Sequence, residues 1–359
     1  MINVDNKRIR CFDALRFFAA VIVLVNHASW FFPTRLSWIL RNWGICNAKS
    51  AVAFFFVLSG LVLHQSWLGA VPTGGSVGRF LARRWFRIYP LYYVSLILGA
   101  AALCLPLDTV AALRTEVTAA PVVLAHNHWD VAQWINHLML ITPGLDFDFI
   151  NPPIWTLAAE MRIALVFPVL SFVVSRLSMV GGGALLGISF AAAPSVGAMT
   201  VPTIALIPLF FAGAWLAQHR RQLPHLPQAG WLVVIAVGVV VYALAPWLCP
   251  PSSILHLYVT GGSSLLILLA VENFQAARHF LETRIPVVFN DIAYGIYVLH
   301  FPLLLGIAYG FNAAGLPAWL FVPICALLTF IVAVIFNRLV EMPVIALGRR
   351  LTRSQSASI

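Results

Sequence analysis

Apolar residues in this chain come in long unbroken runs. Segments 13–33, 50–69, 88–106, 153–175, 179–198, 202–217, 230–248, 254–272, 287–309 and 316–340 each approach the roughly 20 residues that carry a helix through hydrocarbon. None alternates with the period of two that a barrel strand requires. Only helices and closed barrels satisfy their backbone hydrogen bonds inside lipid. The pattern therefore predicts an all-α, polytopic integral membrane bundle of about ten transmembrane helices. The longest polar connection, 107–152, contains AHNHWDVAQWINHLMLITPG, read as a short helix dipping toward the membrane face.

Composition sharpens that picture. Hydrophobic residues make up 61% of the 359 and charged residues 9%, against about a quarter charged in soluble domains. Such a chain cannot cover a water-facing surface and must use lipid as solvent. The first run is too long for a signal-peptide core and ends without a clear small-residue cleavage site, so it reads as a retained span. The net charge of +10 follows the loops and gives no reason to expect a nucleic-acid partner. Lys7, Arg8 and Arg10, then Arg79, Arg83, Arg84 and Arg87, then Arg176, Arg220, Arg221, Arg278, Arg284, Arg349, Arg350 and Arg353 all fall on one side of a ten-span chain. The opposite loops hold chiefly Arg35, Arg41, Lys49 and Arg114. The bias puts both termini in the cytoplasm. Cys11, Cys46, Cys104, Cys249 and Cys325 are scattered, with neither a disulfide framework nor metal-ligand spacing. Residues 1–345 read as a single membrane domain and 346–359 as a short basic cytoplasmic tail. Without an internal repeat or an appended soluble domain, any chemistry belongs within the membrane domain or at its faces.

Ionisable residues inside spans are costly and are functional candidates by default. Arg16 and His27 stand eleven positions apart. That spacing returns them to within about 20° of the same helical face, about 16 Å apart along the axis. Read blandly, Arg16 snorkels to headgroups and His27 hydrogen-bonds within the bundle. Glu160, about 10 Å inward from the outer end of its span, matches the depth of His27. A carboxylate there pairs with the imidazole, raising its basicity, or with Arg162 on its own helix. Arg84 and Arg87, three apart, share a face suited to bidentate phosphate contacts, or to lipid headgroups. Ser59-Gly60 in mid-span reads first as a close-packing pair and second as a nucleophile.

These residues sit in a series of motifs. FDALRFFAAVIVLVNHA, FFFVLSGLVL, RRWFRIYPLYY, IWTLAAEMRIALVFPVL, AYGIYVLHFPLL and VEMPVIALGRR, in that order, resemble the signature segments of the acyltransferase 3 family of integral membrane acyltransferases. The match departs at Met161, Ile163 and Ala164, where many members carry a second acid and an aromatic pair. The resemblance implies an O-acyltransferase of the bacterial cytoplasmic (inner) membrane. It would move an acyl group, usually acetyl, from cytoplasmic acyl-CoA to a hydroxyl of an extracytoplasmic acceptor such as an envelope or exported polysaccharide. Acetyl-CoA is then a donor substrate and no cofactor is permanently bound. His27 and Glu160 become the catalytic candidates, with His27 as general base or acyl carrier. Arg16, Arg84 and Arg87 become donor anchors, and His300, Trp155 and Ser59 cavity lining. Glu341 is expected to pair with a basic loop residue. Polysaccharide-assembly proteins are natural partners. The rival readings are a polysaccharide or small-molecule transporter, or flippase, and a non-catalytic assembly partner.

Overall fold

The computed structural model describes residues 10–32, 34–68, 71–106, 131–142, 150–192, 203–223, 225–250, 253–285 and 287–352. Lys7, Arg8, Arg114, Arg353 and most of the long 107–152 connection lie outside the described residues, as does the side chain of Arg41. Among the described residues there are helices and turns but no strand. In chain order the α-helices are α1 Arg10–Ala28, α2 Arg35–Asn42, α3 Ala48–Gln65, α4 Gly74–Leu103 and α5 Val131–Met139. They continue as α6 Trp155–Arg176, α7 Met179–Ala191, α8 Thr203–His219, α9 Gln228–Leu248 and α10 Ile254–Asn273. The last four are α11 Gln275–Thr283, α12 Val287–Ala313, α13 Phe321–Phe336 and α14 Met342–Leu351.

Among the described residues, eight helical stretches are long and apolar enough to cross a membrane, where the sequence pattern predicts about ten. The helices at the expected fifth and sixth spans are shorter than these eight. α7 has 13 residues, about 20 Å of helix, and α8 has 17. α8 instead serves the core, packed against α3, α6 and α10. α1, α3, α4 and α12 complete the interior, whereas α9 shows lipid its exposed Val233, Val237, Val240 and Leu244. α5 is the short helix expected within the long connection.

Small residues let the core helices approach closely, as membrane bundles require. A methyl group added to Gly60 would fall on the carbonyl of Phe210, and one added to Gly213 on the carbonyl of Val57. α3 and α8 thus touch backbone to backbone, and Gly60 has the close-packing role expected of it. Below this seam His64 of α3 joins Ser171 of α6 at 2.8 Å and Gln218 of α8 at 3.0 Å. Trp38, Trp43, Trp247 and Trp319 are exposed where α1 and α9 end and α13 begins, forming an aromatic belt of the kind found at a membrane–water interface.

Prolines in the helices free carbonyls that are then reused. Pro302 leaves the Val298 carbonyl without its helical donor, and Asn151 Nδ2 donates to it at 3.1 Å. The Tyr297 hydroxyl donates to the Pro153 carbonyl at 3.0 Å and lies 2.7 Å from Thr156 Oγ1. The NPP turn that opens α6 is thereby stitched to α12. Near the other end, π-helical residues Asn337–Glu341 interrupt the last span ahead of Met342-Pro343, a distortion consistent with the missing proline N–H.

Candidate active site

A cavity of about 420 Å³ enters the bundle from the end that carries Arg10. α3 lines it from Leu63 to Val52, eleven steps or about 17 Å of helix, and Ser66 just past the helix extends that wall. Three of its cations, Arg83, Arg87 and Arg349, are exposed, and among the described residues no ion pair or hydrogen bond engages any of them. Its far end is formed by Thr156, Leu157 and Tyr297. Phe55, Phe56 and Ile88 make much of the wall between these ends apolar.

The expected donor anchors are differently committed. Arg16 pairs with Asp13 at 3.0 Å, one turn away on α1. Arg84 is buried and ion-paired with Glu160 across the gap between α4 and α6, while its Nε has no partner. Arg87 alone of the three makes no ion pair or hydrogen bond among the described residues. The sequence reading missed Arg83 and Arg349 as companions. Arg349 arrives because α14 folds back onto α4, with Gly348 so close to Phe86 that a methyl there would lie 2.6 Å from its Cβ. Residues 346–351 of the expected tail are therefore helical and in contact with the membrane domain. The GRR sequence after the proline-containing VEMP carried that signal, as a close-approach glycine followed by cations.

The expected pairing of Glu160 with His27 does not form. α6 packs on α8, α4 and α3, whereas α1 packs chiefly on α12 and α3. Equal depth did not make neighbours of helices that do not adjoin. Glu160 binds Arg84, with Ser59 Oγ also reaching its Oε1 at 3.5 Å. The alternative partner, Arg162, holds the carbonyls of Ile141 and Thr142 instead. Glu341 is buried beside Asn337, 3.1 Å away, rather than ion-paired with a basic loop residue.

His27 meets His300 of α12. Its Nδ1 lies 2.9 Å from His300 Nε2, with ring planes only 7° apart. His300 is fully buried, and its Nδ1 lies 2.6 Å from the Tyr297 carbonyl. Trp30 and Phe301 stand edge-on around His27 at 5.2 and 6.0 Å between ring centroids. Neither histidine lines the cavity, and nor does Trp155, which packs against Phe56. Ser59 does line it, facing Glu160. Tyr297 connects the two places, with its ring in the cavity wall and its backbone carbonyl on His300.

A family model described as an acyltransferase domain matches residues 9–338. The chain belongs to the acyltransferase 3 family. One relative is acyltransferase MdmB of Streptomyces mycarofaciens, 26% identical over 336 residues, 86% of this chain and 81% of that protein. No solved structure matches the chain. Family membership and the eight candidate spans make this a multi-pass membrane acyltransferase. The family match ends at residue 338, so Arg349 lies beyond it in a helix that closes the same cavity.

Proposed function

We propose that this acyltransferase takes an acetyl or similar acyl group from acyl-CoA on the cytoplasmic side of a bacterial inner membrane. It delivers that group to a hydroxyl of an extracytoplasmic acceptor, with an envelope or exported polysaccharide as the favoured class. One observation carries the reading: a single cavity runs from unpaired arginines to Tyr297, one helical turn before His300 and its partner His27. Guanidinium groups are suited to the phosphates of a nucleotide thioester. The apolar middle of the cavity suits an uncharged arm.

In this scheme Arg83, Arg87 and Arg349 hold the phosphates, and Glu160 positions Arg84 among them. His27 Nε2 accepts the proton of the acceptor hydroxyl as its oxygen attacks the thioester carbonyl. The carbon–sulfur bond then breaks, and the leaving thiolate takes that proton from His27. Atoms and charges balance without a further reactant.

The test supplies membranes with labelled acetyl-CoA and a candidate glycan and compares wild type with His27→Ala. The reading expects labelled glycan from wild type and a loss of at least about 10²-fold in the variant, the lower range for a positioned base. Wild-type turnover by a folded, normally abundant His27→Ala protein would sink the assignment.

A further inference from the structure

His27 ends a hydrogen-bonded chain whose direction is fixed at its other end. A backbone carbonyl only accepts. The 2.6 Å contact between the Tyr297 carbonyl and His300 Nδ1 therefore requires a proton on that nitrogen. The same nitrogen is 3.2 Å from the Ile296 carbonyl, which also only accepts. In neutral His300 the other ring nitrogen, Nε2, is then a bare acceptor. His27 Nδ1, 2.9 Å away, must donate to it. His27 Nε2 is left with its lone pair outward, and it makes no hydrogen bond among the described residues. The carbonyl that starts the chain belongs to the backbone of α12, which holds it in place.

We infer that His300 is a positioning residue, which fixes the Nδ1–H tautomer of His27 and thereby aims the Nε2 lone pair at the acceptor hydroxyl. This rests on the proposed role of His27 but adds a distinct claim. The orienting partner of the base is a neutral imidazole, with no carboxylate bonded to either ring among the described residues. Such a partner sets tautomer and direction while adding no negative charge. His300 is fully buried, so water does not compete for its nitrogens. The spacing of Tyr294, Tyr297 and His300, three apart in AYGIYVLH, puts all three on one face of α12.

The test has a spectroscopic arm and a kinetic arm. In ¹⁵N-histidine-labelled wild-type protein in detergent, with signals assigned through His27→Ala and His300→Gln, His27 should show a protonated Nδ1 and an unprotonated Nε2. The opposite tautomer would overturn the inference whether or not any acceptor is turned over. In the kinetic arm, His300→Leu should lower kcat by about 10²-fold, by removing an oriented base, with the KM for acetyl-CoA unchanged. His300→Gln, whose amide oxygen can accept from His27 Nδ1, should recover most of that loss. Equal losses in the Leu and Gln variants would reduce His300 to packing and overturn the proposal. A wild-type kcat in folded His300→Leu would do the same. Loss of the tautomer argument with His27→Ala still inactive would leave the proposed function standing. An active His27→Ala protein would defeat that function while leaving the tautomer measurement intact.

Discussion

The cavity and the histidine pair sit one helical turn apart on α12 and are built on opposite principles. Among the described residues the cavity leaves hydrogen-bonding capacity unused: three exposed arginines and a buried Arg84 Nε have no hydrogen-bond partner. The histidine site uses its capacity almost fully, spending three of four ring nitrogens on a directed chain inside an aromatic shell. Unfilled donors around an empty volume suit a ligand that brings its own acceptors. A saturated chain in a dry setting suits a group that must hold a single proton arrangement.

The largest effect should come from Glu160→Ala, which strips Arg84 of its counter-charge. With the Glu160 side chain 24% exposed, the loss should lie at the low end of the range of about 3–5 kcal/mol for a buried pair broken on one side, read as a lower Tm in detergent. Replacing both residues by apolar ones of similar size should recover most of it. If the single variant is as stable as wild type, the ion pair is not what holds α4 to α6. An intermediate effect is expected at the boundary of the two regions. Tyr297→Phe removes a hydroxyl bonded to Pro153 and Thr156, costing about 1 kcal/mol. It should leave kcat intact, because the carbonyl rather than the hydroxyl of Tyr297 orients His300. A large fall in kcat would mean that the two regions are not separable. The smallest effect belongs to the rim. Arg349→Ala should raise the KM for acetyl-CoA a few-fold and diminish the thermal stabilisation given by free CoA. Arg350→Ala, outside the cavity lining, should do neither. Equal behaviour of the two variants would remove α14 from the donor site.

The helical class was legible because continuous apolar runs have few other solutions, and the motif order carried the family. Of the residues singled out in the sequence, the structure gathers Ser59, Arg84, Arg87 and Glu160 at one cavity and His27 and His300 at a second place. What the sequence could not supply was lateral order. Depth along a helix follows from counting residues, but which helix stands beside which depends on close-packing contacts such as Gly60 against Phe210. Hence Glu160 was matched to the wrong partner, while His27 and His300, 273 positions apart, were both candidates but not joined. The apolarity of α8 was legible but its protein-facing position was not, because apolarity signals burial in protein and in lipid equally. α8 spends its apolar surface on protein.

The seam between α3 and α8 carries a mechanical consequence. A slip of one residue, about 1.5 Å, would bring Ser59 or Leu61 to the place where only the hydrogen of Gly60 clears the Phe210 carbonyl. The facing contact at Gly213 blocks the same slip from the other side. The two helices therefore have one register and behave as a rigid slab, and α3 forms the long wall of the cavity. Any widening of the cavity must come from α1, α4, α6, α12 or α14 moving against that slab, not from the slab sliding on itself.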